Sequence, residues 1–451
     1  MEILILIVFI VGYLSITLEH TFKIDKLIPA LAMMAIMWAM VALGHLDVFN
    51  VDTALRVLVP THVEEVILHH LGKTSEILIF LIGAMTIVEI IDYFNGFATI
   101  KTYVKTRNKV KLLWIFSFLA FMLSAIIDNL TATIVLISIL RKLMNSREDR
   151  LWYAGIIVIA ANAGGAWSPI GDVTTTMLWI ANKVSVANLI SYLLIPSLLA
   201  IAIPSAIASF MPAFKGNIAE TLEDDKEVAT KSGAFMLYLG LGSIIFVPFF
   251  KTVTHLPPYV GMMLSLSVVA LFAEVLSNRK FSMSNVDEES DNAAHHSPVH
   301  KSLTKIEMPS ILFFLGILMA VAALESMGML FNFAGWLQKA TPMIGTELPT
   351  AQVSDLVVVL LGGASAVIDN VPLVAASIGM FPNAIDDPLW HFIAFAAGTG
   401  GSMLIIGSAA GVVAMGMEKI DFFWYLRKFS WLAFLGYIAG AIAFIIMRTI
   451  L

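Results

Sequence analysis

Long apolar stretches follow one another along this chain and are separated by short polar segments. Typical stretches are Met1–Leu18, Leu27–Leu43 and Leu189–Pro212. A helix rises about 1.5 Å per residue, so stretches of this length can cross a hydrocarbon core about 30 Å thick. Ten-residue segments of alternating hydrophobicity, which are typical of membrane β-barrels, are absent from the sequence. The pattern therefore predicts an all-α polytopic membrane protein.

Composition supports this prediction and excludes several other classes. Apolar residues make up 59% of the 451 residues and charged residues only 13%, against roughly 25% charged in soluble domains. A soluble enzyme and a nucleic-acid-binding protein are therefore excluded. The chain has no cysteine, so it has no disulfide and no thiolate metal site, and neither enzymatic activity nor a cofactor is expected. Met1–Leu18 lacks a basic n-region and a small-residue cleavage site, which favours a retained helix over a signal peptide.

Basic residues predict the first re-entrant hairpin. Short loops rich in lysine and arginine stay on the cytoplasmic side, and segments 96–111 and 141–150 are both of this kind. One apolar stretch, 112–140, joins them and contains Asp128-Asn129 near its middle. A single crossing would place one basic segment outside and expose these polar side chains to lipid. A hairpin that turns at Asp128-Asn129 and returns to the inside avoids both problems.

The same reasoning predicts a second hairpin at 354–382, which turns at Asp369-Asn370 and opens to the outside. His62, His69 and His70 are placed in an outside interfacial segment, 52–71, and His295-His296 in a charged cytoplasmic loop, where a pH-sensing role is the less favoured alternative. Most of the 27 lysines and arginines then lie inside. Ten crossings complete the prediction, at about 2–18, 27–44, 76–95, 152–182, 189–211, 234–250, 258–276, 309–331, 390–417 and 431–448.

Two parts of the chain repeat each other with opposite predicted topology. Residues 124–129 match 365–370 at five of six positions, and 161–172 match 397–408 with both Gly-Gly pairs aligned. Gly83 and Asp92 align with Gly316 and Glu325. Inverted repeats with matching broken helices are typical of secondary transporters that work by alternating access. The predicted organisation is N-terminal scaffold helices at 1–75, a first repeat at 76–211, linking helices at 212–308 and a second repeat at 309–451.

The polar residues at the predicted breaks favour a small, hard cation. Carboxylate, amide and hydroxyl oxygens without sulfur or imidazole suit such an ion. The two predicted hairpins, 112–140 and 354–382, contain no Lys, Arg or His. An organic anion would therefore find no cationic side chain there and would be repelled by the aspartates. These oxygens come from Asp128, Asn129, Asp172, Thr174, Thr175, Asp369 and Asn370.

The aspartates are also candidate proton carriers. Burial favours the neutral form of a carboxyl group, and a cation that binds such a group displaces its proton. Competition for Asp128, Asp172 and Asp369 is then sufficient for antiport. The alternative role for each is a helix cap at the break. Ser408 stands where a mate of Asp172 would be, so the site is predicted to be asymmetric, and Glu89 and Glu325 are candidates for a second proton path.

Three motifs resemble those of the NhaD-type sodium/proton antiporters, within the ion transporter superfamily. They are Gly-Ala-Met-Thr-Ile-Val-Glu at 83–89, Ser-Ala-Ile-Ile-Asp-Asn-Leu-Thr at 124–131 and Ala-Gly-Gly-Ala-Trp-Ser-Pro-Ile-Gly-Asp-Val-Thr-Thr-Thr at 163–176. The resemblance implies a bacterial inner-membrane homodimer that exchanges Na⁺ or Li⁺ for H⁺, with no nucleic-acid partner. It also implies functional use of Asp128, Asn129, Asn162, Asp172, Thr174, Thr175, Ser365, Asp369 and Asn370.

Two other classes remain open at this point. Sodium-coupled dicarboxylate symporters of the same superfamily carry Ser-Asn-Thr at the hairpin tips, and this chain has Asp-Asn at both. A channel or a membrane sensor would not need two broken spans of opposite orientation.

Overall fold

A computed structural model describes residues 1–17, 24–52, 57–102, 104, 106–218, 230–281, 297–333, 353–367 and 370–450. The apolar stretches form helices, as the sequence predicts. Six of the described helices are long and apolar enough to cross a membrane, and shorter apolar helices accompany them. The helical, polytopic prediction is thus confirmed. Asp369, His295 and His296 lie outside the described residues.

The helices of the first half are α1 (Glu2–Thr17), α2 (Leu27–Leu43), α3 (Val63–Tyr93), α4 (Ala98–Lys101), α5 (Lys109–Ser124), α6 (Asn129–Leu143), α7 (Arg147–Gly165), α8 (Val173–Ile180) and α9 (Val186–Ser209), and a 3₁₀ turn follows at Pro212–Phe214. The second half contains α10 (Lys231–Thr254), α11 (Pro258–Phe281), α12 (Pro298–Leu303), α13 (Met308–Ser326), α14 (Asp355–Ser365), α15 (Asn370–Met380), α16 (Pro388–Gly400), α17 (Ala409–Glu418), α18 (Phe422–Lys428) and α19 (Ser430–Arg448).

The helices pack as two bundles. The flanking bundle consists of α1, α2, α3, α10, α11, α12 and α13, and the core bundle consists of α5–α9 and α14–α19. Most of the contact between the bundles is that of α3 with α8 and of α13 with α15. Every predicted site residue that is described, apart from Glu89 and Glu325, belongs to the core bundle.

In the first half of the core bundle, the chain turns back at its first polar break. Helix α5 ends at Ser124 and α6 begins at Asn129. The Lys109 ammonium at the start of α5 lies 2.7 Å from Asp149 of α7, so the two ends of this hairpin are at the same end of the bundle. We call it the arginine end, because Arg141 and Arg150 are also there. Helix α7 then runs inward, stops at Gly165, and α8 continues beyond the break.

The second half of the core bundle contains a similar order of short helices. Helix α14 ends at Ser365 and α15 begins at Asn370, and α16 and α17 flank a break at 401–408. Asp386 donates its backbone N–H to the carbonyl of Lys183 at 2.8 Å, which places the start of α16 beside the end of α8. We call this the Lys183 end. Helix α17 finishes at the arginine end, where Glu418 pairs with Arg141 and Arg150.

Two details differ from the prediction. Residues 48–52 and 57–61 form a two-stranded antiparallel hairpin, with Val48 paired to Thr61, so the chain is not wholly helical. The third crossing was predicted to begin at residue 76, whereas α3 begins at Val63. At 31 residues it is about 46 Å long. Its first turns include His69 and His70, so these histidines belong to the same helix as the third crossing and not to a segment that precedes it.

Candidate functional site

The breaks of all four interrupted segments meet inside the core bundle, and polar residues cap the helices that begin there. Asp128 caps α6, Asp172 caps α8 and Ser408 caps α17. Each accepts a hydrogen bond from a backbone N–H of the following turn, which satisfies donors that a helix start leaves unpaired. Because helix N-termini carry partial positive charge, they also stabilise the negative charge of a carboxylate. Capping, the alternative role of the aspartates, is therefore real for Asp128 and Asp172.

Asp172 does more than cap its helix. Its Oδ1 accepts from the Thr174 N–H at 3.1 Å, while its Oδ2 accepts from the side-chain amides of Asn129 and Asn370, both at 3.1 Å. Asn129 and Asn370 are the apex residues of the two hairpins. Asp172 is only 2% exposed. One buried carboxylate thus joins the tips of both hairpins to the first broken helix.

Amides and a hydroxyl extend this cluster to the second broken helix. The Asn129 amide lies 3.3 Å from Asn162 Oδ1, and the Asn162 amide donates to Ser408 Oγ at 3.0 Å and to the Val158 carbonyl at 2.9 Å. Asn162, Asn129 and Ser408 are all buried. The cluster therefore contains an aspartate, Asp172, at the break of the first broken helix and a serine, Ser408, at the break of the second.

Asp128 lies at the rim of the cluster, facing the flanking bundle. Its two carboxylate oxygens accept from the Thr131 N–H at 2.7 Å and from the Thr131 hydroxyl at 2.8 Å. A cavity of about 20 Å³ is lined by Asp128 and Asp172 together with apolar residues of α3, α10 and α11. That volume is enough for one water, so the space between the two acids suits a single small ion.

The two predicted threonines differ in their contacts. Thr175 donates its hydroxyl to the backbone carbonyl of Asp172 at 3.0 Å. Thr174 is fully buried, and its hydroxyl oxygen has no hydrogen-bond partner among the residues that the structure describes. A buried hydroxyl without a partner is costly, so Thr174 is the predicted ligand whose oxygen is most available to an ion.

The hydroxyl of Ser365 bonds the backbone of the second broken helix. It donates to the Ala397 carbonyl at 2.8 Å, as Ser124 donates to the Ala161 carbonyl at 2.6 Å. These matched bonds tie each hairpin to its broken helix. The serine at the same position of both repeated motifs was the sequence signal for this role.

Glycines allow the same close approach. A Cβ on Gly164 would lie 2.2 Å from the Phe121 carbonyl oxygen, and one on Gly400 would lie 2.1 Å from the Gly362 carbonyl oxygen. These distances are far below van der Waals contact, so no side chain fits at either glycine. The first glycine of each Gly-Gly pair therefore allows the hairpin to pack against the broken helix.

Two cavities approach the cluster from opposite ends, and they separate the two predicted proton-path residues. A cavity of about 400 Å³ at the arginine end is lined by Glu89, Asp92 and Thr131. A cavity of about 1100 Å³ at the Lys183 end is lined by Glu325, along with Lys73 and the histidines of α3. The structure thus places Glu89 and Glu325 in different cavities, and neither belongs to the cluster around Asp172.

The chemistry of the cluster is that of an oxygen site. Within the part of the chain that the structure describes, no three acidic or histidine side chains come together as a metal-binding group. The converging groups are instead carboxylates, amides and hydroxyls, mainly from Asp128, Asp172, Asn129, Asn162, Asn370 and Thr174.

These features define a polytopic helical membrane protein with interrupted helices and a buried polar site that cavities approach from two ends. The profile of the citrate transporter family, CitMHS, matches residues 4–391. The chain belongs to this family and, within it, to the NhaD-type sodium/proton antiporters that its motifs resemble.

Its relatives come from plants and bacteria. Sodium/proton antiporter 1 of Arabidopsis thaliana is 39% identical over 100% of this chain and 73% of its own length. Sodium/proton antiporter 2 of the same plant is 37% identical over 97% of this chain and 98% of its own length. The Na(+)/H(+) antiporter NhaD of Alkalimonas amylolytica is 31% identical over 96% of this chain and 88% of its own length.

Proposed function

We propose that this protein exchanges Na⁺ for H⁺ across a membrane, with Asp172 and Asp128 shared between the proton and the cation. The observation that carries the proposal is that Asp172 accepts two hydrogen bonds, one from the apex amide of each hairpin. An ion at this carboxylate would be held by both hairpins at once, so its binding can be coupled to their positions. The names of the plant and bacterial relatives support the same exchange.

The hairpins and broken helices are best explained as two inverted repeats that operate by alternating access. The matched caps support this, because Asp172 has φ −146° and ψ 149° and Ser408 has φ −148° and ψ 154°. The helices that follow them run toward opposite ends of the bundle. Because lysine and arginine loops stay inside, we assign the arginine end to the cytoplasm and the Lys183 end to the outside.

The proposal includes four further properties. Li⁺ is also transported, since an oxygen site for Na⁺ accepts another small, hard cation. The protein lies in a bacterial inner membrane, which the bacterial NhaD relatives support, and forms a homodimer. Asp369, which precedes Asn370 in the sequence, is included as a further carboxylate ligand.

Organic anion transport is the second candidate, because the family profile carries the description citrate transporter. The described cluster opposes it. Asp172 accepts hydrogen bonds from two side-chain amides and a backbone N–H. A carboxylate at the centre of a site repels an anionic substrate.

One experiment separates the two candidates. The purified protein is reconstituted in proteoliposomes that contain a pH-sensitive dye, and Na⁺, Li⁺, K⁺ or citrate with a non-transported cation is added. We expect Na⁺ and Li⁺ to move protons and citrate alone to have no effect. Uptake of labelled citrate driven by Na⁺, without cation-dependent proton movement, would replace antiport by symport.

A further inference from the structure

One lysine of the flanking bundle holds the end of the first broken helix. Lys251 lies in the last turn of α10, and its ammonium donates to the Trp179 carbonyl at 3.0 Å and to Asn182 Oδ1 at 3.3 Å. The same ammonium lies 4.7 Å from the centre of the Trp179 ring. Trp179 belongs to the last turn of α8, where carbonyls lack partners within the helix.

The contact is well suited to the C-terminus of a helix. Carbonyls there carry partial negative charge, which a cation stabilises, and a tryptophan ring face attracts the same cation. Phe80 of α3 packs edge-on against Trp179 at 6.4 Å, and both side chains are 2% exposed. The Lys183 end of α8 is therefore attached to the flanking bundle by one charged and one aromatic contact.

The two cavities differ in how closely they approach the site. The cavity at the arginine end reaches Thr131, which bonds both oxygens of Asp128. The cavity at the Lys183 end stops at Met177 of α8 and Ala375 of α15. Each of these residues is five positions beyond a site residue, Asp172 or Asn370, or about 7.5 Å along its helix. The site is thus nearer to the arginine end.

We propose that Lys251 is a positioning residue that favours the conformation open to the arginine end, by holding α8 against the flanking bundle at the Lys183 end. The inference rests on the alternating-access mechanism proposed above. If the core bundle moves relative to α10 to expose the site on the other side, the bonds from Lys251 to Trp179 and Asn182 must break. Lys251 therefore sets the balance between the two conformations without touching the ion.

A thiol introduced into the cavity at the arginine end reports this balance, since the chain has no cysteine. Ile134 lines that cavity and is 38% exposed. The Ile134→Cys variant in everted vesicles is treated with a membrane-impermeant maleimide, and the labelling rate is measured. Adding Lys251→Gln should slow labelling at least threefold, whereas Lys251→Arg, which keeps the charge and the donors, should stay within twofold of the parent.

Lys183 provides a matched control. Its ammonium lies 4.6 Å from the Trp390 ring centre and 3.4 Å from the Asn383 carbonyl, so its hydrogen bond and its ring contact both lie within the core bundle. Lys183→Gln should leave the labelling of Ile134→Cys within twofold. If Lys251→Gln and Lys183→Gln slow labelling equally, the effect is general loosening and the proposal is wrong.

A second variant and a second measurement cover the remaining outcomes. If Lys251→Gln fails to insert, Asn182→Gly removes one acceptor at a residue with φ of 53°, which glycine tolerates, and it should slow labelling in the same direction. Unchanged labelling in a folded variant overturns the proposal. In proteoliposomes, Lys251→Gln should raise the apparent KM for Na⁺ at the arginine end at least threefold without an equal fall in maximal rate, because a less populated state binds more weakly.

Labelling does not require transport, so the two proposals can fail separately. A labelling shift in a protein that moves no Na⁺ would support the role of Lys251 and reject the antiport proposal.

Discussion

Asp172 accepts hydrogen bonds from two asparagines that are 241 positions apart in the chain, Asn129 and Asn370. At the scale of single residues, this pairing distinguishes Asp172 from an ordinary helix cap, which needs only the N–H of its own helix. A proton on Asp172 would weaken the bonds from both amides. A cation would bind the same carboxylate oxygens directly. The proton and the cation therefore compete for Asp172.

Replacing the carboxylates with amides tests this competition. Asparagine caps a helix about as well as aspartate, so Asp172→Asn and Asp128→Asn should insert normally. We expect each to lower Na⁺-dependent proton flux at least tenfold, because neither can exchange a proton for a cation. Flux is measured with a pH dye in everted vesicles, and expression by immunoblot.

Asp387 is the matched control for these variants. It caps α16 at the Lys183 end by accepting from the Leu389 N–H at 2.9 Å, outside the cluster. Asp387→Asn should retain near-normal flux. Normal flux in Asp172→Asn and Asp128→Asn as well would remove both aspartates from the mechanism.

Shared carboxylates also predict how Na⁺ affinity depends on pH. Raising the pH removes the competing proton and can only help the cation. Apparent affinity should therefore tighten with pH, by up to about tenfold per unit for each proton displaced. Initial rates in proteoliposomes across the neutral and alkaline range give this slope, and an affinity that does not change with pH would contradict a shared site.

At the scale of helices, the sequence predicted the interruptions well. Asp-Asn in an apolar stretch predicted the hairpin turn that the structure has between α5 and α6, and the Gly-Gly pairs predicted breaks after α7 and α16. These are local signals of polarity and backbone freedom.

Other contacts had no local signal. Arg141 and Arg150 were assigned to a cytoplasmic loop from their charge, but they pair with Glu418 at 2.7 and 3.1 Å, and Arg141 also bonds the Met417 carbonyl. Their partner is more than 260 positions away. Hydrophobic periodicity describes one helix at a time, so it cannot show which helix ends meet.

The close approach of each hairpin to its broken helix yields a prediction, and Gly363 of the second hairpin provides the control. Gly164→Ala and Gly400→Ala should each lower thermal stability in detergent and abolish transport, because their Cβ atoms would overlap backbone oxygens. Gly363→Ala meets nothing within 4 Å and should be neutral or stabilising by up to about 1 kcal/mol. Unfolding monitored by tryptophan fluorescence compares the three, and equal stability would show that the approach tolerates a side chain.

At the scale of the whole molecule, two bundles enclose the site, and cavities approach it from opposite ends. The sequence predicted opposite orientations for the two hairpins but not the division into bundles. That division depends on which helices pack together, and α3 and α13 of the two proposed repeats lie in the flanking bundle, apart from the hairpins that follow them.

Sidedness can be tested with the same cysteine-free chain. Lys111 and Glu148 are exposed at the arginine end and Ala384 is exposed at the Lys183 end. Cysteines at Lys111 and Glu148 should react with an impermeant reagent only from the cytoplasm, and one at Ala384 only from outside. If Lys111 and Glu148 react from opposite sides, α5 and α6 do not form a re-entrant hairpin.

Asp172 and Ser408 occupy the same backbone position in their two breaks, with nearly identical dihedral angles. The backbone conformation at a helix break therefore does not require a charged cap, because the neutral hydroxyl of Ser408 caps the second break in the same conformation. Substrate chemistry at such a position can change by a single substitution while the helices keep their places.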